Sequence, residues 1–181
     1  YVKHFNPDTL FVAIGSVEIK PPMKGLDSEK VIMAVDAELN PEKLGNKIVI
    51  IGGGLVGAEA AVSFAHDGRK CTIVERKPMI AEDVNSFYRG GLMPQVEKAA
   101  ECYVNTMVKE ITDQGVLCEQ DGKELIIEAD HVVCALGFRS PWNLVDELTE
   151  SIEEYYIIGD CKKVGKIYEA VNSAYYAALR V

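Results

Sequence analysis

The feature that most constrains the fold of this chain is a glycine loop that follows an apolar segment. The letters KIVIIGGGLVGAEAA cover residues 47–61, and Gly52, Gly54 and Gly57 have the spacing GxGxxG. The apolar residues before the loop predict a buried strand, and the small residues after it predict a helix. A glycine loop between a strand and a helix is typical of proteins that hold a diphosphate at a helix N-terminus.

The segments after the loop support this interpretation. The stretch from Leu55 to His66 predicts a helix packed closely on a sheet, and Gly68 is its predicted end. The next apolar segment, CTIVE, predicts a second strand that ends in the acidic residue Glu75. The order of strand, glycine loop, helix, strand and acid is that of a βαβ unit that binds a dinucleotide.

The three glycines of the GxGxxG pattern have separate tasks in such a unit. Gly52 allows a tight turn, Gly54 lets the backbone approach a diphosphate, and Gly57 lets the helix pack closely on the strand. Backbone N–H groups at the start of the helix supply hydrogen bonds and partial positive charge to the anion. The predicted contacts with the dinucleotide in this segment are Gly52, Gly53, Gly54, Leu55, Val56 and Gly57.

Glu75 bears on the choice between NAD(H) and NADP(H). A carboxylate at the end of the second strand accepts hydrogen bonds from a free ribose 2′-hydroxyl and repels a 2′-phosphate, which favours NAD(H). Arg76 and Lys77 follow directly and could bind a phosphate instead. We expect Glu75 and Arg76 to be cofactor contacts, and the sequence leaves NADP(H) open as the second choice.

The remainder of the chain predicts an α/β fold with an added β-meander. A helix is predicted from about Leu92 to Ala100, and the short strands YVNTMVKEI, GVLCEQ, KELIIEA and HVVCAL follow, separated by the hairpin-turn residues TDQG and DG. The apolar strand Leu10–Ile14 is predicted to share one sheet with Tyr156–Ile158. We therefore predict a Rossmann-like parallel sheet with a three-stranded meander, and a smaller layer made from the two chain ends.

Composition argues against several other classes of function. The formal net charge of −9, without a cluster of Lys and Arg, argues against a partner that is a nucleic acid. No apolar run reaches the roughly 18 residues that a membrane-spanning helix needs. The five cysteines have no CxxC or Cys/His metal spacing, so we expect no metal site and separate reduced thiols in a cytoplasmic protein. The three histidines lack the Ser or Cys partner of a catalytic triad.

Three further segments carry a resemblance to a known family. They are DTLFVAIGS at residues 8–16, VVCALGFRSP at residues 132–141 and YYIIGDC at residues 155–161. Together with the glycine loop and the meander, they resemble the C-terminal half of a two-dinucleotide-binding-domain flavoprotein. Within that group the chain is most similar to the NADH:flavin oxidoreductases that include 2,4-dienoyl-CoA reductase, 2-enoate reductase and trimethylamine dehydrogenase. The resemblance covers essentially the whole chain.

The resemblance implies a domain organisation. In that family an FAD-binding domain is interrupted by an inserted NAD(P)H-binding domain, and the chain crosses between them twice. Residues 1–29 and 136–181 would then be parts of an FAD-binding domain, and residues 30–135 would be the NAD(P)H-binding domain. Gly15 and Gly137 would be turn residues of the two crossovers, although the residue before Gly15 is Ile where the family usually has Thr.

The resemblance also implies further cofactor contacts. Asp160, after Gly159 in the Gly-Asp motif, matches a carboxylate that accepts a hydrogen bond from the ribityl chain of FAD. A helix that begins near Lys166 resembles the one whose N-terminus faces the flavin ring, and Glu59 stands where relatives have an acid near the nicotinamide. Because Asp160 follows a predicted strand, it could instead cap the next segment, and the residues alone leave both roles open.

Several parts of the family's enzymes have no match in these 181 residues. They are the glycine fingerprint for FAD, the flavin barrel with its FMN, and the iron–sulphur cluster site. The resemblance implies that they lie in a preceding part of the same protein, which would be the partner of this chain. The expected function is transfer of hydride from NADH to FAD, for reduction of an enoate or enoyl-CoA type of substrate elsewhere in the full protein. No side chain here is expected to act as a general acid or base.

Two other functions stay open at this point. One is a non-catalytic module that binds a dinucleotide as a sensor. The other is a fragment of a flavin disulphide reductase or NADH oxidase. The redox-active Cys of those enzymes normally lies in a segment that would precede residue 1, so these residues do not decide between the alternatives.

Overall fold

The structure is a computed structural model that describes residues 2–181. Two short 3-10 helices cover Pro41–Lys43 and Gly159–Cys161. The remaining helices and strands, in chain order, are α1 (Val2–Phe5), β1 (Leu10–Val12), β2 (Val17–Glu18), β3 (Val31–Met33), α2 (Ala34–Leu39), β4 (Lys47–Ile51), α3 (Leu55–His66), β5 (Lys70–Val74), α4 (Ser86–Ala99), β6 (Ala100–Tyr103), β7 (Thr106–Thr112), β8 (Gly115–Gln120), β9 (Lys123–Glu128), β10 (His131–Cys134), β11 (Phe138–Arg139), α5 (Trp142–Thr149), β12 (Tyr155–Ile157) and α6 (Ile167–Ala178).

The chain divides into two compact units. Lys20–Gly137 forms the first, which we call the 20–137 unit. The residues up to Ile19 and the segment Phe138–Val181 together form the second, which we call the terminal unit. The domain limits expected from the resemblance, at residues 29 and 135, remain predictions about the organisation of the full protein.

A five-stranded parallel sheet forms the centre of the 20–137 unit, with the strand order β3-β10-β4-β5-β6. The last four residues of β4 are all buried, as expected for a parallel strand that is covered on both faces. Alternate residues of β4 face opposite sides of the sheet. Ile48 and Ile50 pack in one cluster with Phe64 of α3, whereas Val49 packs in another with Val116 of β8.

The antiparallel strands β7, β8 and β9 form the meander on the second face of this sheet. The hairpin between β8 and β9 turns through Asp121 and Gly122, whose φ angles are +52° and +73°. Two consecutive positive φ angles are typical of a type I′ turn, which agrees with the hairpin turn predicted at these two residues. The predicted α/β class, with a parallel sheet and a three-stranded meander, is confirmed.

Two small sheets lie in the terminal unit. Strands β1 and β12 pair in parallel, with Val12 opposite Ile157, which confirms the expectation that these two segments share one sheet. Strands β2 and β11 pair in antiparallel fashion. The buried cluster of this unit is small and holds Val12, Val145 and Cys161. Among residues 2–181, no helix has both the length and the apolar character needed to cross a membrane.

Helix α4 differs from the sequence prediction at its start. It begins at Ser86 rather than near Leu92. Asn85 caps the helix, since its side-chain oxygen accepts a 2.9 Å hydrogen bond from the N–H of Tyr88. Gly90 and Gly91 lie inside α4 just before the predicted start, and their low helix propensity made the first half of the helix unrecognisable in the sequence pattern.

The segment YVNTMVKEI forms two strands, where the sequence pattern predicted one. Tyr103 ends β6 in the parallel sheet, and Thr106 begins β7 in the meander. Asn105 lies between them with a φ of +51°, a conformation that Asn tolerates better than most residues. Similarly, HVVCAL supplies β10 to the parallel sheet and not to the meander. Helix α5 was not among the predicted elements.

Candidate dinucleotide-binding site

The glycine loop lies between the end of β4 at Ile51 and the start of α3 at Leu55. Because β4 is an inner strand of a parallel sheet, the loop lies at the carboxyl edge of the sheet, where open α/β sheets bind ligands. Gly54 is the N-cap residue of α3 and offers no side chain to the N–H groups of the first turn. These N–H groups have no intrahelical acceptor and can therefore bind an anion.

Three glycines of the loop have distinct steric surroundings. A Cβ added at Gly52, where φ is +104°, would lie 2.4 Å from the carbonyl oxygen of Ala135. A Cβ added at Gly57 would lie 1.9 Å from the carbonyl oxygen of Gly52. At Gly54 an added Cβ would meet no atom within 4 Å. The loop therefore has the geometry expected of a GxGxxG turn, and its contact with a diphosphate stays a prediction.

Glu75 directly follows β5 and is joined to the glycine loop. Its Oε2 accepts a 2.6 Å hydrogen bond from the N–H of Gly53, and its Oε1 accepts a 2.7 Å hydrogen bond from the N–H of Lys77. The carboxylate therefore lies at the same edge of the sheet as the loop. An ionised carboxylate has about four lone-pair sites, so both oxygens can still accept a hydrogen bond from a ribose hydroxyl.

The two basic residues after Glu75 have different surroundings. Lys77 Nζ forms ion pairs with Asp83 at 2.6 Å and with Glu82 at 3.0 Å. The hydrogen bonds to Asp83 and Glu82 raise the pKa of Lys77. Arg76, in contrast, has an exposed side chain. Lys77 is therefore already engaged by two carboxylates of its own chain, which lowers its capacity to bind a phosphate.

Glu59 lies on the exposed side of α3. Its Oε1 accepts a 2.6 Å hydrogen bond from the hydroxyl of Tyr88 in the first turn of α4, and this hydrogen bond raises the pKa of Tyr88. Both helices begin at the carboxyl edge of the sheet, so the pair lies at the same edge as the glycine loop. Sequence reasoning missed Tyr88, and the signal that could have found it is Asn85, a preferred N-cap residue three positions earlier.

A second candidate site is a cavity within the terminal unit. Its volume is about 600 Å³. Gly15 and Gly159, with φ angles of +73° and +66°, lie at its wall together with Asp160. The full set of lining residues is Ala13, Gly15, Ser16, Ile158, Gly159, Asp160, Gly165, Lys166, Ile167, Ala170 and Ala174.

The carboxylate of Asp160 is held by two donors at this cavity. The hydroxyl of Ser16 donates to Oδ2 at 3.4 Å, and the N–H of Gly165 donates to Oδ1 at 3.2 Å. The N-terminus of α6 is capped by another acid, because Glu169 Oε2 accepts a 2.9 Å hydrogen bond from the N–H of Lys166. Asp160 therefore does not cap α6, and it stabilises the loop before that helix.

The structure brings the predicted site residues into two groups. The glycine loop, Glu59, Glu75 and Arg76 belong to the carboxyl edge of the sheet in the 20–137 unit. Gly15, Gly159 and Asp160 belong to the cavity in the terminal unit. Gly137, with a φ of +90°, lies between β10 and β11 and is in neither group. Across residues 2–181, no cluster of His, Cys, Asp and Glu has an arrangement that could hold a metal ion.

Comparison with protein families decides which class of dinucleotide-binding protein this is. Residues 2–178 match the model of the pyridine nucleotide-disulphide oxidoreductase family. The chain belongs to this family. Pyridine nucleotide-disulphide oxidoreductases use FAD and NAD(P). This agrees with two separate candidate sites in the chain, the glycine loop and the cavity of the terminal unit.

Two curated relatives are similar over nearly all of the chain. Cinnamate reductase of Clostridium sporogenes is 32% identical over 184 aligned positions, which cover 99% of this chain and 27% of the relative. NADH oxidase of Thermoanaerobacter brockii is 34% identical over 186 aligned positions, which cover 97% of this chain and 28% of the relative. The chain thus spans little more than a quarter of the length of either relative.

A solved structure gives the same result. The complex of a 2-naphthoyl-CoA reductase with 2-naphthoyl-CoA matches with a TM-score of 0.90 and 34% identity, over 96% of this chain and 27% of that chain. The expected resemblance to the group of 2-enoate reductase and 2,4-dienoyl-CoA reductase is confirmed. The family match and these relatives agree, since the relatives are themselves named as reductases and as an oxidase.

Proposed function

We propose that the loop Gly52–Gly57 binds the diphosphate of NADH and that the chain serves hydride transfer from NADH to FAD within a larger flavoenzyme. The observation that carries this proposal is the open space in front of Gly54 at the N-terminus of α3. NADH and FAD supply the redox chemistry when they are bound. The residues of this chain supply the binding, the orientation and the electrostatic environment of the nucleotide.

The charges around Glu75 support NADH over NADPH as the hydride donor. The segment from Glu75 to Asp83 contains three acids and two basic residues, so its side chains carry net negative charge that repels a 2′-phosphate. Lys77, two residues after Glu75, is held by Asp83 and Glu82. Glu75 keeps free lone pairs for the ribose hydroxyls of NADH.

Glu59 completes the proposed NADH site at the nicotinamide end. Its position one turn into α3 supports this role, because the start of that helix faces the diphosphate. The short hydrogen bond from Tyr88 fixes the direction of the carboxylate. We assign Tyr88 the task of orienting Glu59, and neither residue has to transfer a proton.

The cavity in the terminal unit is the proposed contact with FAD. Gly15 and Gly159 present backbone without side chains at its wall, and Asp160 offers a carboxylate to the ribityl hydroxyls. Ser16 and Gly165 hold that carboxylate in place. The diphosphate of FAD would be held by a glycine fingerprint from another part of the same protein.

The rest of the proposed enzyme lies outside this chain. This chain covers about a quarter of each relative. That coverage supports a preceding flavin barrel with FMN, an iron–sulphur cluster and the missing half of the FAD-binding domain. The relatives are named for reduction of cinnamate and of 2-naphthoyl-CoA, which supports a substrate of the enoate or enoyl-CoA type. A cytoplasmic location is part of the same proposal.

Titration of the 181-residue chain with NADH, followed by nucleotide fluorescence, tests the proposed site. Saturable binding with one NADH per chain is expected. Gly54→Asp places a carboxylate in the open space without a steric clash, and Asp is also a preferred N-cap residue, so the fold is retained. The variant should weaken NADH binding at least about a hundredfold by repulsion of the diphosphate.

Gly54→Asn is the matched control, because it has the same shape and capping ability without the charge. It should bind NADH much more tightly than Gly54→Asp. Equal affinity of Gly54→Asp and the unmodified chain would show that the diphosphate does not lie at this loop. Reduction of FAD by NADH, seen as loss of flavin absorbance, tests hydride transfer in the full-length protein.

A further inference from the structure

The middle residue of the glycine loop, Gly53, has both of its backbone polar groups bound by its own chain. Its N–H donates to Glu75 Oε2 at 2.6 Å, and its carbonyl oxygen accepts a 2.7 Å hydrogen bond from the N–H of Ala81. Gly53 is therefore held from both sides by the segment that follows β5. Its N–H is therefore already engaged, unlike the N–H groups at the start of α3.

The side chain of Ile80 fills the space beside Gly53. A Cβ added at Gly53 would lie 2.5 Å from Cδ1 of Ile80, 3.0 Å from Cβ of Glu75 and 3.2 Å from Cγ2 of Ile73. Ile80 is 3% exposed and Ala81 is fully buried. The turn formed by Ile80 and Ala81 thus lies directly against the loop.

Ala81 adopts a backbone conformation that is unfavourable for alanine. Its φ is +53°, in the left-handed region, where residues with a Cβ are uncommon. Such a conformation persists only when the surrounding structure enforces it. The restraints here are the hydrogen bond from Ala81 N–H to Gly53, the bond from Arg89 Nε to the carbonyl of Ile80 at 3.0 Å, and the bond from Val84 N–H to the carbonyl of Ala81 at 3.2 Å.

We propose that the turn Ile80–Ala81 is a positioning element for dinucleotide binding. It fixes the carbonyl side of Gly53 while Glu75 fixes the amide side, and together they aim the free N–H groups of Gly54 and Leu55 at the diphosphate. This inference rests on the proposed function of the loop. It adds a pair of residues that do not touch the nucleotide and that set its affinity through Gly53.

The first test compares Ile80→Ala with Ile48→Ala in the 181-residue chain. Both isoleucines are buried in the same cluster, with exposures of 3% and 1%, but Ile48 lies at the opposite end of β4 from the loop. Both variants should lose similar thermal stability. Only Ile80→Ala should raise the Kd for NADH, by about tenfold. Equal Kd values for both variants and the unmodified chain would overturn the proposal.

The second test is a rescue. Gly53→Ala should raise the Kd for NADH by about tenfold, because its Cβ collides with Ile80 Cδ1 and shifts the loop. Ile80→Val removes only Cδ1, so the double variant Gly53→Ala with Ile80→Val should regain most of the lost affinity. If Ile80→Ala or Ile48→Ala does not fold, the first test uses Ile80→Val and Ile48→Val instead. A double variant no better than Gly53→Ala alone would contradict the proposal.

The binding role of the loop and the positioning role of the turn can be told apart by experiment. Absence of NADH binding to the unmodified chain would remove the proposed function itself. NADH binding that is lost in Gly54→Asp but unaffected by Ile80→Ala and Ile80→Val would keep the function and remove the positioning role of the turn.

Discussion

Oε2 of Glu75 lies 2.6 Å from the amide nitrogen of Gly53, so the acid expected to bind the ribose also holds the glycine loop. A hydrogen bond to an ionised acceptor is about twice as strong as a bond between neutral groups. Any change at Glu75 therefore alters two things together, the surface that discriminates between the two nucleotides and the shape of the loop.

Replacement of Glu75 by Ala should weaken the binding of NADH and of NADPH. The expected loss for NADH is about 1 to 3 kcal/mol, because hydrogen bonds to a charged group are removed, and the preference for NADH should decrease. Calorimetric titration with each nucleotide measures both effects. Glu128→Ala, which removes an exposed carboxylate paired with Lys47, is the control and should leave both affinities unchanged. Tighter binding of NADPH than of NADH by the unmodified chain would contradict the assignment.

Replacement of both Glu82 and Asp83 by Ala should raise the affinity for NADPH. The change frees Lys77 from its two ion pairs and removes negative charge near the position of a 2′-phosphate. We expect the ratio of the Kd values for NADPH and NADH to fall by about three- to tenfold at low salt. Adding Lys77→Ala to this variant should cancel much of the gain. An unchanged ratio would mean that Lys77 does not reach the 2′ position.

The stability of the chain should decline as the pH rises from 9 to about 11, in part through two buried thiols. Burial raises the pKa of Cys71 and of Cys118 from 9.0 to about 11. As the pH rises, the thiols of the unfolded chain lose their protons at a lower pH than those of the folded chain. The stabilising effect of the neutral thiols is therefore complete below pH 9 and disappears as the pH approaches 11. Urea denaturation at several pH values measures the decline. The double variant Cys71→Ala with Cys118→Ala should show a smaller decline, and parallel curves would refute this cause.

The 181-residue chain should not retain FAD on purification. The chain contains one glycine fingerprint, and we assign it to NADH, so the diphosphate of FAD has no second loop. Asp160 offers one or two hydrogen bonds of roughly 1.5 to 3 kcal/mol each, against an association cost of at least about 4 kcal/mol. Absorbance in the flavin bands decides the matter. A yellow protein with stoichiometric FAD would mean that the loop was assigned to the wrong cofactor.

Local patterns were sufficient to predict the centre of the nucleotide site. β4 and α3 occur at the predicted residues, because an apolar strand, a glycine turn and an ordered run of small residues each have a short-range physical cause. The start of α4 was not predictable in the same way. Packing against the sheet stabilises that helix despite its glycines and Pro94, and helix propensity does not contain such tertiary contributions.

The contacts around Gly53 could not be predicted from the sequence, for a different reason. Glu75 and Ala81 are 22 and 28 positions away from Gly53 along the chain, and nothing in their local patterns indicates which backbone group they bind. The same applies to the pair of Tyr88 and Glu59 on two different helices. Such contacts depend on how separate helices and strands pack together, whereas the periodic pattern of apolar residues describes each helix or strand alone.

The steric contacts of the glycine loop also set different limits on how this sequence can drift during evolution. Gly52 and Gly57 are opposed by the carbonyl oxygens of Ala135 and Gly52. Every amino acid carries that oxygen, so no second substitution can make room. Gly53 is opposed most closely by the side chain of Ile80. A lineage in which residue 80 has first become smaller can therefore lose the glycine at position 53, while positions 52 and 57 have no comparable route.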